Sequence, residues 1–143
     1  MKGYTLVEMT AVLVVISFLL LLVTPCLRPI DRLALYEFTD TLVSDIQEVG
    51  QYPYISERES CVPRLTWYMK DRTYIITCGR TSISTVTVPD GIIMYLPTSK
   101  DITFYKQSAT YAGQWKFVSG TSSVLLKFRM GTYEPEVFIY DGG

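Results

Sequence analysis

The chain has 143 residues, with 13 Lys and Arg against 14 Asp and Glu and no histidine. That length accommodates one modest domain beyond an N-terminal segment, and the missing histidine removes the commonest general base and metal ligand. From residue 30 onward eleven basic residues face thirteen acidic ones, which excludes a broad basic footprint for nucleic acid.

No nucleophile paired with a base, no metal-ligand set and no phosphate-cradling loop is legible. The chain reads as a non-enzyme without cofactor or metal.

The N-terminus runs Gly3-Tyr4-Thr5-Leu6-Val7-Glu8, followed by an uncharged stretch from Met9 to Leu27. Each Leu, Ile, Val or Phe in such a stretch favours bilayer insertion by roughly 0.3–0.6 kcal/mol, and the length just suffices to span. Glu8 stands at the mouth of this apolar segment, where a carboxylate is tolerated only with a partner or a path to water. Cleavage between Gly3 and Tyr4 would create an α-amine that the Glu8 of a neighbouring copy can pair with, setting the stagger between subunits. The rival for Glu8 is a side chain snorkelling to the headgroups. A secretory signal peptide, a lipoprotein signal ending at Cys26 and a plain signal anchor are rivals for the whole segment. None of these three calls for Glu8.

These residues resemble the signature of the type IV pilins and pseudopilins: a short basic leader ending in Gly, then an aromatic residue, Thr, Leu, an apolar residue and Glu. Here it reads Lys2-Gly3, Tyr4, Thr5, Leu6, Val7, Glu8. The resemblance implies cleavage after Gly3 by a prepilin peptidase, N-methylation of Tyr4, and pairing of Glu8 with the amine of an adjacent subunit. It also implies a helix-softening proline, matched by Pro25. The orientation, with the C-terminal part outside the cell, comes from the resemblance and not from charge, because Lys2 is balanced by Arg28 and Arg32 beyond the segment.

Pro25 and Pro29 predict a bend or a short unwound stretch between Thr24 and Pro29. From Ile30 the pattern turns amphipathic, with Leu35, Phe38, Leu42, Ile46 and Val49 spaced by three and four. Gly50 followed by Pro53 reads as a cap and stop, so one helix is expected over Tyr4 to Val49.

Tyr52 to Val62 reads as a loop. Leu65 to Met69 and Tyr74 to Cys78, flanking Lys70-Asp71-Arg72, read as a hairpin. Further strands are expected over Ile83 to Val88, Ile92 to Leu96, Ile102 to Tyr105, Trp115 to Val118, Val124 to Arg129 and Val137 to Tyr140, with Lys106 to Gln114 as a polar loop. The many aromatic residues read as packing on pleated faces in preference to stacking on a ligand. Cys61 and Cys78 predict a disulfide closing a loop of about seventeen residues, worth about 3 kcal/mol, with two buried free thiols as the alternative. Cys26 is left as a small packed hydrophobe. Arg64, Lys70, Arg72 and Arg80 beside Tyr68 and Tyr74 admit a DNA-gripping reading, weighed against an ordinary solvated hairpin face.

The simplest layering is α+β: a long N-terminal helix, membrane-spanning in its first half and amphipathic in its second, packed on one C-terminal antiparallel β-sheet as in pilins. The expected divisions are a leader over 1–3, a transmembrane and assembly helix over 4–29, an amphipathic helix over 30–50 and a globular β domain over 51–143. The layout of residues 64 to 138 also resembles the ComGD-like minor pseudopilins of Gram-positive competence systems. What matches is a hairpin with a Tyr-Ile-Ile strand, a strand ending at Val88-Pro89, an Ile-Thr-Phe strand, a Gly-rich loop and a late Leu-Lys-Phe strand. That resemblance implies a membrane-anchored precursor with an extracellular domain, assembled into a surface filament for DNA uptake. Its implied partners are the prepilin peptidase, the major and other minor pseudopilins, the membrane assembly platform and, before assembly, membrane lipid. Direct contact with DNA is left open. A type II secretion pseudopilin, a type IV pilus subunit and an anchored binding domain that never polymerises are the alternatives.

Overall fold

A computed structural model of the chain describes residues 6–55, 61–96, 101–105 and 108–142, with helix side chains described over 6–21 and 31–51. Among these residues one helix, α1 (Leu6–Ile55), is followed by nine strands: β1 (Pro63–Tyr68), β2 (Thr73–Cys78), β3 (Thr81–Thr87), β4 (Ile93–Tyr95), β5 (Asp101–Tyr105), β6 (Ser108–Ala109), β7 (Gly113–Ser119), β8 (Ser122–Phe128) and β9 (Glu136–Asp141). They form two antiparallel sheets, a first in the order β3-β2-β1-β5-β6 and a second in the order β4-β7-β8-β9.

The expected fold class is corrected on two counts. There are two sheets instead of one, and α1 lies against β1 and β5 of the first and β7 and β8 of the second. Moreover, among the described residues no helix is long and apolar enough to cross a membrane.

Two features account for the division into sheets. After β3, Pro89 withholds a backbone donor and Gly91 adopts φ 87°, so the chain turns away from the β2–β3 ladder. Arg72 fastens that turn: its Nη2 donates to the carbonyls of Pro89 and Ile92, both at 2.8 Å, while Val88 N donates to Arg72 O at 2.7 Å. The chain re-enters as β4 beside β7, and β5 crosses back to pair with β1 through Leu65 opposite Ile102.

The helix departs from expectation as well. It is continuous through Pro25 and Pro29, so no unwound stretch intervenes, and it runs past Gly50 and Pro53 to Ile55. Gly50 is not a cap: it is buried, and a Cβ there would overlap the Tyr133 ring. The short β6 occupies part of the expected polar loop.

The periodic stripe is the buried one. Leu35, Leu42 and Ile46 are fully buried and Phe38 and Val49 nearly so. Buried Thr39 donates its hydroxyl to Leu35 O at 2.9 Å, which offsets the cost of taking it out of water. Aromatic rings then weld the three layers. Trp67 of β1 meets Trp115 of β7 edge to face at 5.4 Å, and Phe38 of α1 meets Phe117 of β7 at 5.4 Å and Tyr74 of β2 at 6.4 Å. Each such pair adds about 0.5–1.5 kcal/mol beyond area burial.

Candidate assembly site

The first part of α1 has no counterpart in the core. Leu6, Val7, Met9, Val12 to Ile16 and Phe18 to Leu21 are all exposed, around the whole circumference of the helix. Its hydroxyls are turned inward on the backbone: Thr10 Oγ1 donates to Val7 O at 2.9 Å and Ser17 Oγ to Leu13 O at 2.8 Å. The outward surface is therefore apolar on every side, the pattern of a helix destined for an apolar surround. Glu8, in the first turn, is the one ionisable residue between Leu6 and Leu21. A carboxylate there also suits the positive end of the helix dipole.

The domain begins where α1 meets the end of β9. Arg32 Nη2 lies 2.5 Å from Asp141 Oδ2, and Arg32 Nε donates to Tyr36 Oη at 3.1 Å. The Tyr36 hydroxyl donates to Asp141 Oδ1, which also accepts from Ser122 Oγ at 3.3 Å. The Tyr36 hydrogen bond, followed by the Arg32 charge, holds the Asp141 carboxyl below its ordinary range. The same tyrosine and carboxylate raise the Arg32 guanidinium above its own. Exposed ion pairs stabilise little individually, but this one fixes the last strand to the helix at the point where the helix leaves the sheets.

Of the residues singled out in the sequence, Gly3 and Tyr4 lie outside the described residues. Glu8 is exposed in the first helical turn. Pro25 lies within the continuous helix, its side chain outside the described set. Cys61 and Cys78 are joined as a disulfide with Cα atoms 5.4 Å apart, stapling the entry to β1 onto the end of β2. The basic and aromatic residues of the hairpin do not converge. Arg72 is occupied by the Pro89 and Ile92 carbonyls, and Tyr74 is buried with its hydroxyl donating to Asp45 Oδ2 at 2.7 Å. Arg64, Tyr68, Lys70 and Arg80 are exposed. No group of three or more potential metal-ligating side chains gathers among the described residues.

Sequence reading missed the Arg32–Tyr36–Asp141 cluster. Arg32 and Asp141 are 109 residues apart, and no local pattern joins them.

In comparisons with protein-family models, curated proteins and solved structures, the chain matches none.

Proposed function

We propose that the chain is a minor pseudopilin-type subunit, assembled through its N-terminal helix into a surface filament serving DNA uptake. The observation that carries this reading is the stretch from Leu6 to Leu21, exposed and apolar on every side, with Glu8 in its first turn. Such a surface demands apolar cover. Sister helices in a filament core supply it, and the resemblance to the pilin signature supports pairing of Glu8 with the N-terminal amine of an adjacent subunit, which would set the stagger. The resemblance of Gly3-Tyr4-Thr5-Leu6-Val7-Glu8 to the pilin signature supports prepilin-peptidase cleavage after Gly3 and N-methylation of Tyr4. Membrane lipid shelters the apolar helix before assembly, the β-rich domain lies outside the cell, and the major pseudopilin, other minor subunits and the assembly platform are the partners.

The test is incorporation into surface fibres. Glu8→Ala is expected to leave the protein processed but absent from the fibres, and intact mass is expected to show a chain starting at methylated Tyr4. Fibres that incorporate Glu8→Ala normally would overturn pairing through Glu8. An unprocessed chain that never enters fibres, even with every companion protein expressed, would leave an anchored binding domain in its place. Gene deletion scored for transformation and for protein secretion separates competence from a type II secretion role.

A further inference from the structure

The two sheets treat their edges differently. In the first, β3 is rich in Thr and Ser beside a register shift at Ile76/Thr77, and β6 has two residues. These are the devices that discourage edge pairing. In the second sheet β4 is short as well, at three residues, but β9 runs for six residues in unbroken register with β8. β9 presents Val137, Phe138, Ile139 and Tyr140 at 40–56% exposure, and β4 presents Ile93 and Tyr95 at 56% and 58%. Helix α1 covers β7 and β8 and reaches β9 at Asp141, while Val137 to Tyr140 stay exposed on both faces of the strand. Among the described residues no strand pairs with the outer side of β4 or of β9.

The two open edges match. Every neighbouring pair in this sheet is antiparallel, so its two edges, three steps apart, run in opposite directions. Two copies in the same orientation therefore bring β9 and β4 together antiparallel. The rungs match too. One row crosses the sheet as Ile93, Val118, Ser123, Tyr140, the next as Met94, Phe117, Val124, Ile139, and the third as Tyr95, Lys116, Leu125, Phe138. Each row thus starts and ends on an apolar residue, and the pleat keeps Ile93, Tyr95, Phe138 and Tyr140 on one face and Met94 and Ile139 on the other.

We propose that β9 of one molecule pairs with β4 of a second copy, Ile93 opposite Tyr140, Met94 opposite Ile139 and Tyr95 opposite Phe138, continuing the sheet from molecule to molecule. The contact joins two different edges, so it does not close into a two-fold dimer and propagates as a chain of subunits. It does not rest on helix-mediated packing.

The test uses the full chain in detergent micelles, carrying Cys26→Ala to remove the odd thiol. Tyr95→Cys and Phe138→Cys are prepared separately with different tags and oxidised mildly, alone and mixed. A mixed disulfide at least tenfold above the like-with-like product of either variant is expected. Absence of the mixed product, or a Phe138→Cys product with itself of equal yield, would overturn the pairing. Phe138→Lys, at an exposed edge position, is expected to keep the far-UV circular dichroism of the parent while reducing it to single copies by light scattering. Parent-sized assemblies from a folded Phe138→Lys would also overturn it. Glu8→Ala is expected to retain the Tyr95 to Phe138 crosslink, so its exclusion from fibres reports on the helix, whereas loss of the crosslink in molecules that still enter fibres reports on the sheet edge alone.

Discussion

Asp141, the last residue of β9, sits 2.5 Å from the guanidinium of Arg32 and accepts a hydrogen bond from the Tyr36 hydroxyl, so the final strand is buckled to the helix 109 residues upstream. The folded carboxyl is held below its usual value of 3.8. A depressed carboxyl contributes stability that is present above the unfolded pKa and disappears as pH falls through the folded one. Asp141→Asn is therefore expected to lower the melting temperature at neutral pH, with the gap between variant and parent narrowing below about pH 4. A gap that is constant from pH 7 to pH 2 in thermal melts counts against the buckle.

Tyr74 points to the opposite end of the pH scale. Burial, reinforced by the hydrogen bond to Asp45 and its charge, raises the phenol well above its ordinary 10.0. The neutral phenol is favoured in the folded state, so its contribution is intact below pH 10 and is lost as pH rises beyond that point. Tyr74→Phe should cost about 1–3 kcal/mol near neutrality, because Asp45 loses its donor in a half-buried position. It should also flatten part of the alkaline decline in denaturation midpoint above pH 10.

Gly50 offers a test in which two rules oppose each other. Alanine is favoured over glycine in a helix by about 0.8–1.0 kcal/mol. Its Cβ would overlap the Tyr133 ring, and overpacking costs typically about 1–3 kcal/mol. Gly50→Ala is expected to destabilise the parent and to stabilise a Tyr133→Ala background by about 1 kcal/mol. The same sign in both backgrounds, read from chemical denaturation, would show that the ring is not what requires glycine.

The Cys61–Cys78 bridge closes a loop with a sequence separation of 17. Reduction, or Cys61→Ala with Cys78→Ala, is expected to lower stability by about 3 kcal/mol on the chain-entropy estimate. A denaturation midpoint indifferent to reductant would remove the bridge from any stabilising role.

Local periodicity made much of the domain legible. The spacing of Leu35, Phe38, Leu42, Ile46 and Val49 exposes one helical face, and that face is the buried one. The hairpin of β1 and β2 was legible from two alternating runs around Lys70-Asp71-Arg72, and Trp67 pairs with Tyr74 across it. Glu8 and the apolar residues after it stood out because a single charge interrupts an otherwise uncharged segment. Gly50, in contrast, misled: a glycine followed by proline has the chemistry of a helix end, and only the ring of Tyr133 lying against it explains its place inside the helix.

The amino-acid order by itself determined which residues form the helix face, where most strands begin and end, and where the apolar N-terminal surface lies, because backbone periods of 3.6 and 2 act over a few residues. Tertiary structure alone decided that the strands divide into two sheets, that β5 crosses to β1 while β4 goes to β7, and that Asp141 meets Arg32 and Tyr36. Those choices turn on which edges and charges come together once distant segments have closed on a shared aromatic core, and no property of any single segment encodes them.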